Sequence, residues 1–330
     1  MGNFGGCFNA GVFIFNHIFY KDSAINLIYM IKAIVLYFLL FQTSTKVSAQ
    51  TEEYAPGVQL KTYFRTFGTG KPLLIINGGP GMNSDGFVTL AKTLSKNHQT
   101  IIYDQRGTGK SVLKKTDSAT ITMRLMAEDL EQLRSYLKIE KWSVLGHSFG
   151  GMLASYYATL HPDKIEALIL SSSGGVDLEL LSYVDAITSK LTQGERDSLA
   201  YWNSRISTGD TSYATRLGRG RSLAPAYLYD RKNIPVIAER LTQGNSLVNN
   251  LVWNNLRTMN FDCKKALASF DKPVLIIQGK QDIIEEKTGQ KAHQLFKNSK
   301  LVLLDKCGHY GWLDRPDKYL PEVENFLAAH

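Results

Sequence analysis

A serine inside a glycine-flanked pentapeptide is the residue whose surroundings most clearly indicate chemistry. Residues 146–150 read Gly-His-Ser-Phe-Gly, so Ser148 stands at the centre of a G-x-S-x-G pattern. The pattern follows the strand-like run 142–145 and precedes a helix-like stretch, residues 149–160. Small flanking residues permit the sharp strand-to-helix turn that exposes a nucleophilic serine, and a helix N-terminus favours negative charge nearby. The sequence therefore predicts that Ser148 is a nucleophile for acyl transfer.

A serine nucleophile requires a general base, and the base requires an acid that orients it. Asp282 follows the apolar run 273–277, and His309 lies in a glycine-flanked loop after the run 301–304. The chain order Ser, Asp, His is one in which this constellation occurs. We therefore predict that His309 is the base and that Asp282 orients it. Two carboxylates nearer to His309 in the sequence remain alternatives for the acid: Asp305 and Asp314.

Acyl transfer also builds negative charge on a carbonyl oxygen, and two backbone N–H groups must already point at its position. Residues 77–81 read Asn-Gly-Gly-Pro-Gly and follow the apolar run 73–76, where such an oxyanion loop belongs. Glycines let the backbone approach a substrate closely. The predicted donors are the N–H groups of Gly79 and of Phe149, the residue after the nucleophile.

A second glycine-rich segment, residues 104–111, reads Asp-Gln-Arg-Gly-Thr-Gly-Lys-Ser and ends like a phosphate-binding loop. The phosphate-loop pattern needs a glycine five residues before Gly109, and that position holds Asp104. We interpret the segment as a structural turn in which Arg106 braces the rim of the active site. No Cys or His spacing fits a metal site, so the sequence predicts neither a metal nor a cofactor.

Strand-like and helix-like stretches alternate after the first fifty residues, which is typical of an α/β fold with a mainly parallel sheet flanked by helices. From residue 176 to residue 262 the strand-like runs disappear and helix-like segments replace them. The sequence thus predicts an α/β core, residues 50–175 and 263–330, with an inserted helical cap, residues 176–262. Residues 1–49 are predicted to form a separate leader.

The leader contains the three parts of a secretory signal within residues 30–49: a basic start, an apolar stretch and a cleavage site of small residues. The apolar stretch, residues 33–41, has nine residues, whereas a membrane-spanning helix needs about 20. We therefore predict export to the periplasm or the medium, with Met30 as the physiological start and no stable membrane span after cleavage. The alternative is an uncleaved membrane anchor, residues 24–41.

Composition limits the function classes further. Of the 330 residues, 44% are apolar and 21% are charged, which are proportions of a globular protein rather than of a disordered or multi-span membrane chain. The formal charge is +8, but the basic residues are scattered, so nucleic-acid binding is not expected. The predicted partner is a small-molecule or short-peptide substrate. The oligomeric state and a disulfide between Cys263 and Cys307 stay open.

The motifs together resemble the proline iminopeptidase branch of the α/β-hydrolases. That family shows a His-Gly-Gly-Pro-Gly oxyanion loop, an Asp-Gln-Arg-Gly-x-Gly-x-Ser segment, a G-x-S-x-G elbow, and a late Asp and His. The corresponding motifs stand here in the same order over residues 55–330. The loop begins with Asn77 instead of His, and Phe149 stands where the family commonly has tryptophan.

The resemblance implies an α/β-hydrolase fold and the release of an N-terminal residue, often proline, from short peptides without metal or cofactor. An aminopeptidase must recognise a free amine, so carboxylates in the cap are expected to bind it. Because the cap sets substrate choice in this fold, the mechanism transfers better than the substrate. A carboxylesterase, or another hydrolase of small acyl compounds, is the alternative function.

Overall fold

A single eight-stranded sheet forms the centre of the chain in a computed structural model, which describes residues 50–57, 59–182 and 184–330. The predicted leader, residues 1–49, lies outside the described residues. The strands are β1 (Thr51–Gly57), β2 (Leu60–Phe67), β3 (Pro72–Ile76), β4 (Gln99–Tyr103), β5 (Trp142–His147), β6 (Ile165–Ser171), β7 (Val274–Gly279) and β8 (Ser299–Leu304).

The strands follow the order β1-β2-β4-β3-β5-β6-β7-β8 across the sheet. From β4 to β8 in this order, each strand is parallel to the next. At the other edge, β1 pairs with β2 and β2 pairs with β4 in antiparallel fashion. The predicted α/β architecture with a mainly parallel sheet is therefore confirmed. The apolar runs did not reveal β1, which is a mostly exposed edge strand, or β2, in which polar residues interrupt a largely buried strand.

Helices cover the sheet and fill the segment between β6 and β7. The α-helices are α1 (Val88–Leu94), α2 (Met123–Tyr136), α3 (Phe149–Leu160), α4 (Gln193–Ser207), α5 (Tyr213–Leu223), α6 (Ile234–Leu241), α7 (Ser246–Thr258), α8 (Lys264–Leu267), α9 (Glu286–Leu295), α10 (Gly311–Asp314) and α11 (Pro316–Ala328). Short 3-10 helices lie at Asp85–Phe87, Pro162–Lys164, Glu179–Ser182, Val184–Lys190, Ala224–Tyr227 and Arg231–Asn233.

The apolar runs are continuous because the central strands are buried on both faces. In β3, Leu74 and Ile76 pack into the core on one face of the sheet, and Leu73 and Ile75 pack into the core on the other face. Side chains alternate between faces along a strand, so one apolar run supplies both cores. The helices on each face then exclude water from the sheet.

The segment between β6 and β7 is helical and carries no β-strand among its described residues. We call residues 176–262 the insertion. An isolated β-bridge pairs Asp177 with Asp262, and Cys263 N donates to Val176 O at 2.8 Å. These contacts bring the two ends of the insertion together beside the sheet. Its status as a separate cap domain stays a prediction.

The two cysteines considered for a disulfide are both buried free thiols. Cys263 packs with the core on one face of the sheet, and Cys307 packs with the core on the other face. Burial raises the pKa of Cys263 to about 12. The two thiols therefore serve as small apolar core groups in this structure.

No helix in residues 50–57, 59–182 and 184–330 combines the length and the apolar character needed to cross a bilayer. This finding concerns the described residues only. The predicted export signal and its anchor alternative both fall outside them.

Arg106 forms a buried ion pair under the strand ends, in agreement with its predicted structural role. Its Nε and Nη2 atoms donate to the two carboxylate oxygens of Asp129 on α2, both at 2.8 Å. Nη1 donates to Thr120 O at 2.7 Å. Both side chains of the pair are almost completely buried. Because a buried charge without its partner is strongly unfavourable, this pair fixes the 104–111 segment onto α2.

We expect Asp129→Asn to lower the free energy of unfolding by about 3–5 kcal/mol, because it leaves the Arg106 guanidinium buried without a counter-charge. Urea denaturation measures the change. The neighbouring Glu128→Gln is the matched control, since Glu128 pairs with the exposed Arg124 and should change stability by only about 0.5 kcal/mol. Equal effects of the two substitutions would show that the buried pair does not stabilise the fold.

Candidate active site

The predicted site residues follow four different strands at one edge of the sheet. Ser148 comes directly after β5, Gly79 follows β3, and Asp282 and His309 lie beyond β7 and β8. The ends of β5 and β6 are in register, with His147 beside Ser171, and Ser171 in turn pairs with Ile277 near the end of β7. Since these strands are parallel, their carboxyl ends meet at the same edge. The sheet topology thus places the predicted residues around one point.

The backbone at Ser148 adopts a conformation that is rare for a residue with a side chain. Its φ is 56° and its ψ is −122°, between the end of β5 and the start of α3. The Ser148 N–H donates to Ser171 O at 3.0 Å, and Ser148 O accepts from Gly151 N at 2.9 Å. A Cβ at Gly150 would lie 2.2 Å from Ile76 O. Only glycine at position 150 permits this turn, which leaves Ser148 partly exposed among buried neighbours.

His309 and Asp282 form a buried hydrogen-bonded pair. The distance between His309 Nδ1 and Asp282 Oδ1 is 2.7 Å, and both side chains are nearly inaccessible to solvent. Asp282 Oδ1 also accepts the N–H of Ile284 at 3.0 Å, and the His309 N–H donates to Tyr227 O at 2.7 Å. A carboxylate at Nδ1 favours the tautomer whose Nε2 is free to accept a proton. These contacts orient the imidazole.

Neither of the other two acids considered for this role hydrogen-bonds to His309 in the described part of the chain. Asp314 accepts backbone N–H groups of Tyr229, Asp230 and Gly308. Asp305 is exposed to solvent. The structure therefore brings Asp282 to His309, as the chain order predicts.

His309 lies next to the turn that carries Ser148. Its ring centroid is 4.6 Å from that of His147, the residue before Ser148. The hydrogen bonds of the described residues do not include one between Ser148 and His309. Such contacts are often loose without substrate and tighten during the reaction.

The predicted oxyanion loop approaches the same turn. A Cβ at Gly78 would lie 2.6 Å from the Cβ of Ser148, and Gly79 has a φ of 69°. Within the described residues, the N–H groups of Gly79 and Phe149 donate to no protein acceptor. Two such donors beside a nucleophile could bind a developing oxyanion. Their catalytic role stays a prediction.

Hydrogen bonds from the 104–111 segment and from Asn77 hold the oxyanion loop, residues 77–81, in place. Gln105 Nε2 donates to Asn77 O at 2.8 Å. Asn77 Nδ2 donates to Met82 O at 3.1 Å, which closes the loop. Asp104 accepts the N–H and the hydroxyl of Ser84 at 2.9 and 2.7 Å. The 104–111 segment thus supports the oxyanion loop through side-chain hydrogen bonds.

Arg240 on α6 is a site residue that the sequence analysis missed. It is 3% exposed, its Nη2 donates to Gly78 O at 2.8 Å, and its Nε donates to Tyr310 OH at 3.3 Å. Its guanidinium carbon lies 4.7 Å from the ring centroid of Phe87. The only sequence signal is a charged residue on the apolar face that Ile237 and Leu241 give to this helix.

Arg240 fixes the direction of the predicted oxyanion donor. The carbonyl of Gly78 and the N–H of Gly79 belong to one planar trans peptide and point in opposite directions. A guanidinium that binds the carbonyl therefore turns the N–H the other way. The insertion acts in this manner on a loop that is 162 residues earlier in the chain.

Aromatic side chains surround the histidine pair. The ring of His147 contacts the rings of Tyr310 and Trp312 at centroid distances of 5.1 and 4.8 Å. Burial, together with the electrostatic influence of the neighbouring His309 and Arg240 side chains, holds the pKa of His147 well below its usual range. Burial also raises the pKa of Tyr227, whose ring lies 5.7 Å from that of His309, to about 12. Both groups are therefore neutral near pH 7, and the surroundings of His309 are mostly apolar.

The arrangement contains the parts that acyl transfer requires: a serine in a strained turn, an oriented imidazole and two unengaged backbone donors. No group of three or more His, Cys, Asp or Glu side chains in residues 50–57, 59–182 and 184–330 could hold a metal ion.

Comparisons with known proteins show the family of the chain. The family described as "alpha/beta hydrolase fold" matches residues 71–316. A proline iminopeptidase from Lacticaseibacillus rhamnosus is 28% identical over 84% of this chain and 98% of its own length. One from Lactobacillus helveticus is 26% identical over 83% of this chain and 97% of its own length. The resemblance inferred from the motifs is thus confirmed.

Two solved structures show the shared fold. An α/β fold family hydrolase from Bacillus anthracis has a TM-score of 0.70 and 22% identity, covering 84% of this chain and 99% of that one. An esterase from Exiguobacterium antarcticum has a TM-score of 0.66 and 20% identity, covering 84% of this chain and all of that one. At these identities the likeness concerns the fold alone.

His147→Phe should flatten the pH dependence of stability. In the unfolded state His147 binds a proton near pH 6.5, but in the folded state its lowered pKa prevents this, so stability falls as the pH drops below that value. Between about pH 7 and about pH 5, the wild type should lose about 2 kcal/mol more than the variant. Urea denaturation at both pH values measures this, with exposed His293→Phe as the control. An unchanged pH slope in His147→Phe would contradict a neutral buried His147.

Arg240→Met should lower kcat by about tenfold with little change in KM. The Gly79 N–H remains in the variant, but the contact that orients it is lost. Steady-state hydrolysis kinetics on the folded variant measure both constants. Val236→Ala, at an exposed position of α6, is the control and should match the wild type. A change confined to KM would show that Arg240 contacts the substrate instead of the loop.

Proposed function

The chain belongs to the α/β-hydrolase fold family, and on that premise we propose that it is a serine hydrolase that works through an acyl-enzyme. The observation that carries the proposal is the buried pair of His309 and Asp282 at 2.7 Å, beside the strained turn at Ser148. A neutral hydroxyl is a weak nucleophile, and an oriented imidazole is the group that activates it.

The proposed reaction has two balanced steps. Ser148 Oγ attacks the carbonyl carbon of an amide or ester while His309 Nε2 accepts the hydroxyl proton. The oxyanion accepts hydrogen bonds from the N–H groups of Gly79 and Phe149. His309 then gives the proton to the departing amine or alcohol as its bond to the carbonyl carbon breaks. Water repeats the sequence on the acyl-enzyme and releases the acid and the free serine.

The proposed substrates are short peptides from which an N-terminal residue, proline or another, is released. The support is the family of relatives named proline iminopeptidase, which align over nearly their whole length. The departing group would be the amine of the shortened peptide. The apolar surroundings of His309 suit an uncharged side chain such as proline near the reacting carbonyl.

A carboxylesterase is the second candidate, and the charges of the insertion favour it. Six carboxylates there already pair with cations; the pairs are Asp177–Lys264, Glu179–Lys291, Glu195–Arg231, Asp210–Arg205, Asp230–Lys232 and Asp262–Lys264. Two others bind neutral partners, Asp197 with Gln193 and Glu239 with Tyr213. A substrate ammonium meets a carboxylate that already has a partner at each of these eight acids, whereas an ester without an amine needs none of them.

Ser148→Ala should abolish hydrolysis of a prolyl arylamide with a free amine, lowering kcat by about four orders of magnitude or more. Release of the arylamine measures the rate. Ser155→Ala is the matched control, since Ser155 is a buried serine on the same helix, α3, whose hydroxyl has no hydrogen-bond partner among the described residues. It should keep the wild-type rate.

The substrate panel separates the two candidates. Loss of activity when the amine of the prolyl substrate is acetylated would support the aminopeptidase. Rapid cleavage of short-chain aryl esters, with every prolyl arylamide intact, would support the carboxylesterase. Wild-type turnover in Ser148→Ala would refute the serine mechanism for both.

A further inference from the structure

A cavity lies beside the oxyanion loop. Its volume is about 450 Å³, and it is bounded by Pro80 and Met82 of the loop and by residues of α5, α6 and α7. Two arginines of α5, Arg216 and Arg219, line it. Within the described part of the chain, no carboxylate contributes to its wall. The cavity is therefore cationic and distinct from the aromatic surroundings of His309.

The positive charge of this cavity is not neutralised by the protein. Helix α5 carries Arg216, Arg219 and Arg221 and no acidic residue. Arg219 Nε donates to the neutral Asn203 Oδ1 at 2.8 Å. Neither Arg216 nor Arg219 pairs with a carboxylate of the described residues, although six acids of the same insertion are paired. Unpaired guanidinium groups in a cavity are available to an anion.

The orientation of α5 is set by close packing. A Cβ at Gly218 would lie 2.4 Å from the indole of Trp202 on α4, and a Cβ at Gly220 would lie 2.4 Å from Ala238 O on α6. Glycine at both positions lets α5 approach its neighbours, which fixes its rotation. Residues three apart lie on the same side of a helix, so Arg216 and Arg219 present their charges to the same cavity.

The cavity is linked to the catalytic residues through short contacts. Met82 Sδ would lie 2.7 Å from a Cβ at Gly79, a predicted oxyanion donor. Asn249 Nδ2, in the cavity wall, donates to Pro80 O at 2.9 Å. The positive charge of Arg219 also acts on Tyr227 against the burial that raises the pKa of that phenol, and Tyr227 contacts His309. The cavity and the loop that carries the predicted oxyanion donor thus share Pro80 and Met82 as a common wall.

We propose that this cavity binds the C-terminal carboxylate of a short peptide substrate. The inference rests on the proposed aminopeptidase function and names its substrate class. In that reaction the N-terminal residue forms the acyl-enzyme, and the departing portion carries the carboxylate. The planar fork of an arginine matches a carboxylate with two parallel hydrogen bonds. The asparagine amides of the wall supply further donors. The site therefore selects short peptides with a free C-terminus over amidated or long ones.

The test compares prolyl-alanine with prolyl-alanine amide, which differ only in the terminal charge. Wild-type kcat/KM should favour the free acid by about tenfold, equivalent to about 1.4 kcal/mol. Arg219→Gln should remove the preference by raising KM for the acid alone, and Arg219→Lys, which keeps the charge, should retain part of it. Arg221→Gln is the matched control, because Arg221 lies on the same helix but lines a different cavity. It should behave like the wild type.

Equal cleavage of acid and amide by the wild type would overturn the inference, as would a loss in Arg219→Gln that affects both substrates alike. Calorimetric titration of Ser148→Ala with the two peptides tests the same preference without turnover. If only esters are cleaved, the peptidase function fails separately. A monomethyl ester and the dimethyl ester of one dicarboxylic acid then repeat the comparison. If the wild type prefers the monoester and Arg219→Gln removes that preference, the carboxylate site is supported. If the wild type shows no preference, the site is refuted.

Discussion

The strained backbone at Ser148 is the constraint on which the rest of the site depends. A non-glycine residue with a φ of 56° and a ψ of −122° costs on the order of 1–3 kcal/mol, and such a conformation persists only when its surroundings determine it. Here the end of β6 accepts its N–H, and the first turn of α3 and the chain after β6 donate to its carbonyl. The parallel sheet and the buried α3 therefore hold Ser148 in a partly exposed position.

The second support comes from the insertion and acts on the oxyanion loop. Three carbonyl groups of that loop accept hydrogen bonds from the insertion. Gly78 O accepts from Arg240, Pro80 O accepts from Asn249, and Gly81 O accepts from the Asn245 N–H. Helices α6 and α7 thus touch both the loop and the cavity that carries Arg219. The same two helices therefore support the loop through hydrogen bonds and form part of the cavity wall.

The predicted residues could be placed from the sequence because each lies in a turn or loop that follows a strand and has a glycine nearby. Parallel strands then bring such loops to one edge whatever the side chains between them. Arg240 could not be placed in this way, since its partner is 162 residues distant and no local pattern records the contact. The strands β1 and β2 were missed because neither carries an uninterrupted apolar run. Strand β1 is mostly exposed, and β2 is largely buried but has Thr62, Arg65 and Thr66 among its apolar residues. The pairing of the acids in the insertion likewise depends on the tertiary structure alone.

Charge pairing decides what the insertion can offer a substrate. The sequence shows acids and arginines in similar numbers there, which suggests equal capacity for amines and for carboxylates. In the folded chain six acids are occupied by cations, whereas two arginines of one cavity are not. A substrate ammonium at an occupied acid shares the carboxylate with a cation of the protein, whereas the two arginines have no carboxylate of the described residues beside them. The folded insertion therefore offers a carboxylate the less contested contact.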